Sequence, residues 1–124
     1  MPAAAVVNDF IRTVEAGQFV EAIRRFYAQG ATMQENNDAP RVGIAALVEN
    51  EERVLSLFSQ LKGTCLAPPA ITGDRVAINW AFDFARADGV ALRLEEIAWQ
   101  RWEGNKVVEE RFFYDPRQLQ PAAA

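Results

Sequence analysis

Residues Arg75–Phe84 read RVAINWAFDF. In an extended chain Val76, Ile78, Trp80, Phe82 and Phe84 fall on one side, and Ala77, Asn79, Ala81 and Asp83 on the other. A two-residue period in a run rich in β-branched and aromatic residues predicts a strand. The residues that follow repeat the pattern. Ala87, Asp88 and Gly89 make a turn, and Val90–Trp102 a second, longer strand. Glu103, Gly104 and Asn105 make another turn, and Lys106–Tyr114 a third strand that ends before Pro116. The C-terminal half is therefore expected to form an antiparallel meander. Between Thr64 and Thr72 a shorter strand is expected, interrupted by Pro68 and Pro69.

Upstream of Arg75 the period changes. Val7, Phe10, Ile11 and Val14 recur at helical spacing, with Gly17 where a C-terminal cap belongs. Phe19, Ala22, Ile23, Phe26 and Tyr27 predict a second, short helix stopped near Gly30. Ala31–Glu35 reads as at most a short strand before the turn-rich Asn36, Asn37, Asp38, Ala39 and Pro40. Ile44, Leu47, Val48, Val54, Leu55, Phe58 and Leu61 predict a long third helix running from Ile44 to Leu61. Helices first and a meander after is the order of an α+β fold, not of a doubly wound sheet. Neither a repeat nor a linker interrupts it, so a single domain over residues 1–124 is expected, with Pro121–Ala124 as a frayed tail.

Composition narrows the chemistry. The chain has 124 residues, 50% of them apolar and 24% charged, which is globular composition with enough length for a core. A net charge of −4 argues against a nucleic-acid binder, which needs a clustered basic face. Cys65 is the only cysteine, so an internal disulfide and a cysteine metal cage are both excluded, which is compatible with a reducing compartment. Met1–Val7 reads as neither a secretory leader nor a membrane span, and a cytoplasmic location is expected. The chain contains no histidine. Ser-His-Asp and Cys-His catalysis are thereby removed, and acid–base work falls to carboxylates, tyrosine or lysine. The carboxylates follow no metal-ligand spacing, and neither a metal nor a cofactor is expected.

Three segments carry a resemblance: FIRTVEAGQFVEAIRRFYAQGATMQE from Phe10, RVGIAALVE from Arg41, and EEIAWQRWEGNKVVEERFFYDP from Glu95. Together they resemble the SnoaL-like branch of the nuclear transport factor 2-like superfamily over nearly the whole chain, from about Phe10 to Pro116. The resemblance implies a cone, with three N-terminal helices and a curved antiparallel sheet enclosing a pocket. It specifies a scaffold more than a chemistry, since members range from ketosteroid isomerases, polyketide cyclases, dehydratases and limonene-epoxide hydrolases to non-catalytic binding proteins. The isomerase pattern places its base at Glu35 but its two oxyanion donors at Phe10 and Ala98, which cannot donate. One such donor is worth ~3 kcal/mol, so isomerisation by that route is not expected. The epoxide hydrolase pattern matches at Arg75 and fails at Ala77 and Phe112.

Strand parity oriented as in that family turns Ala77, Asn79, Ala81 and Asp83 into the pocket. It turns Glu96, Ala98, Gln100 and Trp102 inward on the next strand, and Glu110, Phe112 and Tyr114 on the last. Glu51 lies on the third helix within the apolar stripe, seven residues after Ile44 and seven before Phe58. A carboxylate there must be paired, protonated or facing a cavity. The resemblance implies a hydrogen bond from Tyr27, either as a structural pair or as part of a site. Glu35 reads either as a general base or as a solvated loop residue. Asp83, Glu96 and Glu110 are either pocket acids or partners of Arg93, Arg101 and Arg111. The candidate catalytic groups are Glu35, Glu51, Asp83 and Glu96. Phe10, Tyr27, Phe58, Asn79, Gln100, Trp102, Glu110, Phe112 and Tyr114 are the candidate ligand-binding residues.

Two functions follow. One is a small-molecule enzyme transferring protons through carboxylates, as isomerase, cyclase, dehydratase or hydratase. The other is a non-catalytic ligand-binding or structural protein. Val76, Ile78, Trp80, Phe82 and Phe84, with Ile97, Trp99 and Phe113, would then form a convex apolar face for a homodimer, or else the core under the helices.

Overall fold

Helix α1, Ala4–Glu15, turns Val7, Phe10, Ile11 and Val14 into the core. It ends in a Schellman motif, the reason Gly17 stands where it does. Gly17 adopts φ 81°, its N–H donates to the Val14 carbonyl at 2.9 Å, and the Gln18 N–H donates to the Thr13 carbonyl at 3.2 Å. Helix α2, Phe19–Phe26, buries Phe19, Ala22, Ile23 and Phe26. Helix α3, Ile44–Leu57, starts after Gly43 at φ 91° and buries Leu47 and Val48. The computed structural model describes residues 1–120, and the tail Pro121–Ala124 lies outside them. Among the described residues no helix is long and apolar enough to cross a membrane.

The strands are β1 (Tyr27–Glu35), β2 (Arg41–Val42), β3 (Phe58–Cys65), β4 (Ala70–Thr72), β5 (Arg75–Arg86), β6 (Ala91–Glu103) and β7 (Lys106–Phe113). They form one open sheet in the order β2-β1-β7-β6-β5-β3, with β4 paired to β5. The three helices pack on one face of it. The meander β5-β6-β7 is antiparallel as expected, but β1 runs parallel to β7, which makes the sheet mixed. No local turn joins β1 to β7, so only tertiary packing sets their relative direction.

Three expectations change. The second helix stops at Phe26, and Tyr27 opens a nine-residue strand instead of closing the helix. Tyr27 satisfies both periods in sequence, and pairing with β7 decides in favour of the strand. The third helix stops at Leu57, and Phe58 and Leu61 belong to β3. A β-bulge explains the helical spacing. Ser59 lies opposite Ala85 and Lys62 opposite Asp83, so β3 carries an extra residue, and Gln60 takes φ 56°. That insertion puts Phe58 and Leu61, three apart, on the same face.

The third change is strand parity on β5. Trp80 lies opposite Glu96, Ile78 opposite Ala98 and Val76 opposite Gln100. Residues directly opposite share a face, so Val76, Ile78, Trp80, Phe82 and Phe84 point toward the helices with Glu96, Ala98 and Gln100. Val76 and Ile78 are fully buried. Ala77, Asn79, Ala81 and Asp83 point the other way. The convex apolar face therefore loses its β5 members and keeps Ile97, Trp99 and Phe113, each about 40% exposed.

Candidate functional site

Between the helices and the inner face of the sheet lies a cavity of about 260 Å³. That is near the small end of the ~300–1,000 Å³ usual for small-molecule sites. Its wall is apolar and aromatic. Val14, Phe19 and Ile23 come from the first two helices, Phe58 and Leu61 from β3, and Trp80, Phe82 and Phe84 from β5. Trp80 stacks on Phe82 at 5.5 Å between ring centres, and Phe58 meets Phe84 edge-on at 4.7 Å. The polar groups on this wall are carboxylates and phenols: Tyr27, Glu35, Glu51, Glu110 and Tyr114. Among the described residues no lysine or arginine lines it.

Glu96 belongs to the same cluster. It projects from the inner face of β6, opposite Trp80 and between Leu94 and Ala98, and is only 8% exposed. Among the described residues its carboxylate has no hydrogen-bond partner. Every fully sealed side-chain oxygen there does have one, so the Glu96 carboxylate keeps some accessible surface on this face.

Glu110 is held differently. The buried Tyr27 hydroxyl donates to its Oε1, and Gln100 Nε2 donates to its Oε2 at 2.6 Å. Trp102 Nε1 in turn donates to Gln100 Oε1 at 2.9 Å. This chain runs from the indole to the carboxylate with every donor matched, as a buried polar network requires. Phe10 closes it from above, packing on Tyr27 and on Trp102 at 6.0 and 6.1 Å.

Burial and mutual repulsion shift the proton affinities of these acids upward. Glu96 is pushed up to about 8, first by burial and then by Glu110, Glu35 and Glu51. Glu110 is pushed up to about 7 by burial, although the bonds from Tyr27 and Gln100 pull it back down. Glu51 is also raised, by burial and by Glu35, with Arg41 opposing. Tyr114 is pushed up to about 12 by burial and by the carboxylates of Glu35 and Glu96. Glu35, half-buried at the rim, faces Arg41 at 3.4 Å.

The structure thus brings Glu35, Glu51 and Glu110 to one cavity, with Phe10, Tyr27, Phe58, Phe112 and Tyr114 around it, and sets Glu96 beside them on the inner face of β6. Gln100 and Trp102 are fully buried behind that wall and act through Glu110. Asn79 and Asp83 are not part of the site. Both lie on the outer face of the sheet, Asn79 opposite Ile97, and Asp83 bridged to Arg93 at 3.4 Å. The expected Tyr27–Glu51 hydrogen bond is replaced by Tyr27–Glu110. Arg101 pairs with Glu103 and Glu109 rather than with an inner acid.

Trp80, Phe82, Phe84 and Leu61 are among the lining residues that reading the sequence missed. For the β5 aromatics a signal was present. The turn Ala87-Asp88-Gly89 has three residues, so Arg86 faces Val90, and even-numbered residues must then face even-numbered ones along the hairpin. Glu96 could only share a face with Trp80.

No protein-family model matches the chain, nor does any curated protein sequence. Solved structures do match. An NTF2-like protein of unknown function from Burkholderia pseudomallei superposes with a TM-score of 0.81 at 10% identity, covering 93% of this chain and 92% of the other. A protein described as a candidate SnoaL-like polyketide cyclase from Mesorhizobium loti gives 0.76 at 21% identity, covering 90% and 97%. A protein of ketosteroid isomerase-like fold from Catenulispora acidiphila, solved with trimethylamine, gives 0.76 at 14% identity, covering 89% and 85%. The chain has the fold these proteins share.

Proposed function

We propose that the chain acts as one domain that takes up a small organic molecule in the inner cavity and moves protons on it through carboxylates. The observation that carries this is the difference in setting among acids on and beside one apolar wall. Glu96, unpaired and pushed up to about 8, holds its proton at neutral pH and serves as the acid. Glu35, at the rim beside Arg41, serves as the base. Environments that drive neighbouring carboxylates apart are how a single fold supplies both roles near pH 7. Isomerisation, cyclisation, dehydration and hydration all need that pair, and none needs the missing histidine. Glu51 assists from α3, and the Tyr27–Glu110–Gln100–Trp102 chain keeps the floor rigid.

Proton exchange provides a test that does not require the substrate to be known. Small cyclic ketones and β,γ-unsaturated ketones are incubated with the protein in D2O, and loss of α-proton signals is followed by NMR. Exchange by the native protein that disappears in Glu35→Gln, with ligand binding retained, is the expected result. Bound ketones that never exchange leave a binding protein instead.

A specific observation favours that second, non-catalytic reading. Phe10 and Ala98, where the ketosteroid isomerases carry donors, are 3% and 0% exposed and apolar. In either reading the outer face, with Ile97, Trp99 and Phe113 exposed beside Ala77, supplies a homodimer contact. Sedimentation of the native protein against Trp99→Glu checks it: a shift from dimer to monomer is expected. The single, partly buried Cys65 fits a cytoplasmic setting.

A further inference from the structure

The carboxylates of the cavity face one another, and among the described residues only Glu35 of this group has an ion-pair partner. Glu35 projects from β1, Glu51 from α3 and Glu110 from β7 into its wall, with the Tyr27 and Tyr114 phenols beside them, and Glu96 projects from the inner face of β6 within range of all three charges. That partner, Arg41, sits on the rim 3.4 Å from Glu35. Glu110 has two donors of its own, so its charge is already provided for. Glu96 has none among the described residues and is 8% exposed. A buried carboxyl group without any hydrogen-bond partner is an incomplete site, because proteins leave buried polar groups unpaired only where something else completes them.

We propose that the occupant of this cavity is an organic amine bound as its ammonium ion. The nitrogen is held by Glu96, with the charges of Glu51 and Glu35 around it, and the apolar body lies on Phe58, Trp80 and Phe84. The proposal rests on the reading that this cavity is a small-molecule site. Three features select the class. A cation is the one partner that relieves repulsion among the acids and gives Glu96 its missing donor. Aromatic faces next to carboxylates attract ammonium groups through the ring quadrupole as well as through charge. An inorganic ion fits less well, since among the described residues no three acidic side chains converge closely enough to hold a metal. They line different walls of a cavity of about 260 Å³ instead.

Binding a cation next to acids that hold protons must expel some of those protons, by linkage. Calorimetry reads both quantities in the intact chain. Matched pairs serve as probes: cyclohexylamine with cyclohexanol, benzylamine with benzyl alcohol, and 2-phenylethylamine with 2-phenylethanol. Titrations at pH 7 are run in two buffers of different ionisation heat. The expected result is at least tenfold tighter binding of the best amine than of its alcohol. Its heat should differ between buffers in the sense of proton release. That preference should fall at least fivefold in Glu96→Gln and also in Glu35→Gln, the latter a rim substitution that leaves the core untouched. An alcohol that binds as tightly as its amine overturns the proposal and leaves the cavity a small-molecule site. Failure of all six probes to bind at millimolar concentration overturns both.

Discussion

The two faces of the sheet carry the same kinds of side chain and treat them in opposite ways. On the outer face, Asp83 meets Arg93, and Glu103 and Glu109 meet Arg101, with all three acids substantially exposed to solvent. On the inner face, Glu96 and Glu110 are 8% and 3% exposed, and neither meets a guanidinium. Trp99 stands 42% exposed under the Arg75 guanidinium outside, whereas Trp80 is 2% exposed inside. Water and arginine make the outer acids electrostatically inexpensive. Inside, desolvation and crowding raise the affinity for protons, and it is there that a carboxylate acquires chemistry. Residue type is therefore a poor guide to role in this molecule, and the face of the sheet is a good one.

Substitutions at matched positions on the two faces can break that contrast. The largest effect is expected from the tryptophans. Trp80→Ala empties part of a packed wall and should cost ~3–5 kcal/mol of stability in urea unfolding, against less than ~1 kcal/mol for Trp99→Ala in the monomer. Equal losses would mean that the faces are not distinguished by packing.

Next comes the pH dependence. Glu96 is pushed up to about 8 in the fold from an ordinary 4.5. For an acid raised in this way, the native state binds more protons than the unfolded chain between those two values. Its stabilising proton is fully present below the ordinary value and is lost as pH rises through about 8. Native stability should accordingly fall from pH 5.5 to pH 8.5, on the order of a few kcal/mol. Glu96→Gln should flatten a large part of that slope, the rest belonging to Glu110 and Glu51, and leave the protein more stable than native at the alkaline end. A native stability that is level over this range contradicts the raised affinity.

A smaller effect sharpens the picture of Glu110. Tyr27→Phe removes one of its two donors and should cost about 1–3 kcal/mol. It should also raise the proton affinity of Glu110, because the Tyr27 bond is one of the influences holding it down. Carboxyl carbon shifts followed by NMR against pH would report the change. Smallest of all is the outer control. Asp83→Asn breaks the exposed pair with Arg93 and should alter stability by less than ~1 kcal/mol, with no change in the pH slope.

Much of this was legible from residue order. The stripe of Val7, Phe10, Ile11 and Val14 closes with Gly17 in a left-handed cap, and the alternation along Arg75–Phe84 could only be a strand. Glu51 was conspicuous for the same reason, being a charge on an apolar stripe. Legibility failed where one residue satisfied two periods. Phe58 and Leu61 look helical because a bulge at Gln60 shifts a strand by one position. Tyr27 looks helical because it falls four residues after Ile23 and eight after Phe19, on the same apolar stripe.

Sequence alone determined the three helices and the C-terminal meander, the α+β order, and the restriction of acid–base chemistry to carboxylates, tyrosine or lysine. These follow from local periodicity and composition, which act over a few residues. Tertiary structure alone decided which acids meet. Glu35, Glu51, Glu96 and Glu110 come from β1, α3, β6 and β7, far apart in sequence. Their convergence depends on the parallel β1–β7 pairing and on the registers of the meander. A shift of one residue in any of those registers would turn a carboxylate from the cavity to the solvent. Side-chain direction along a strand alternates with every residue, so a site built across a sheet is set by register, a property of pairs of segments that neither segment carries by itself.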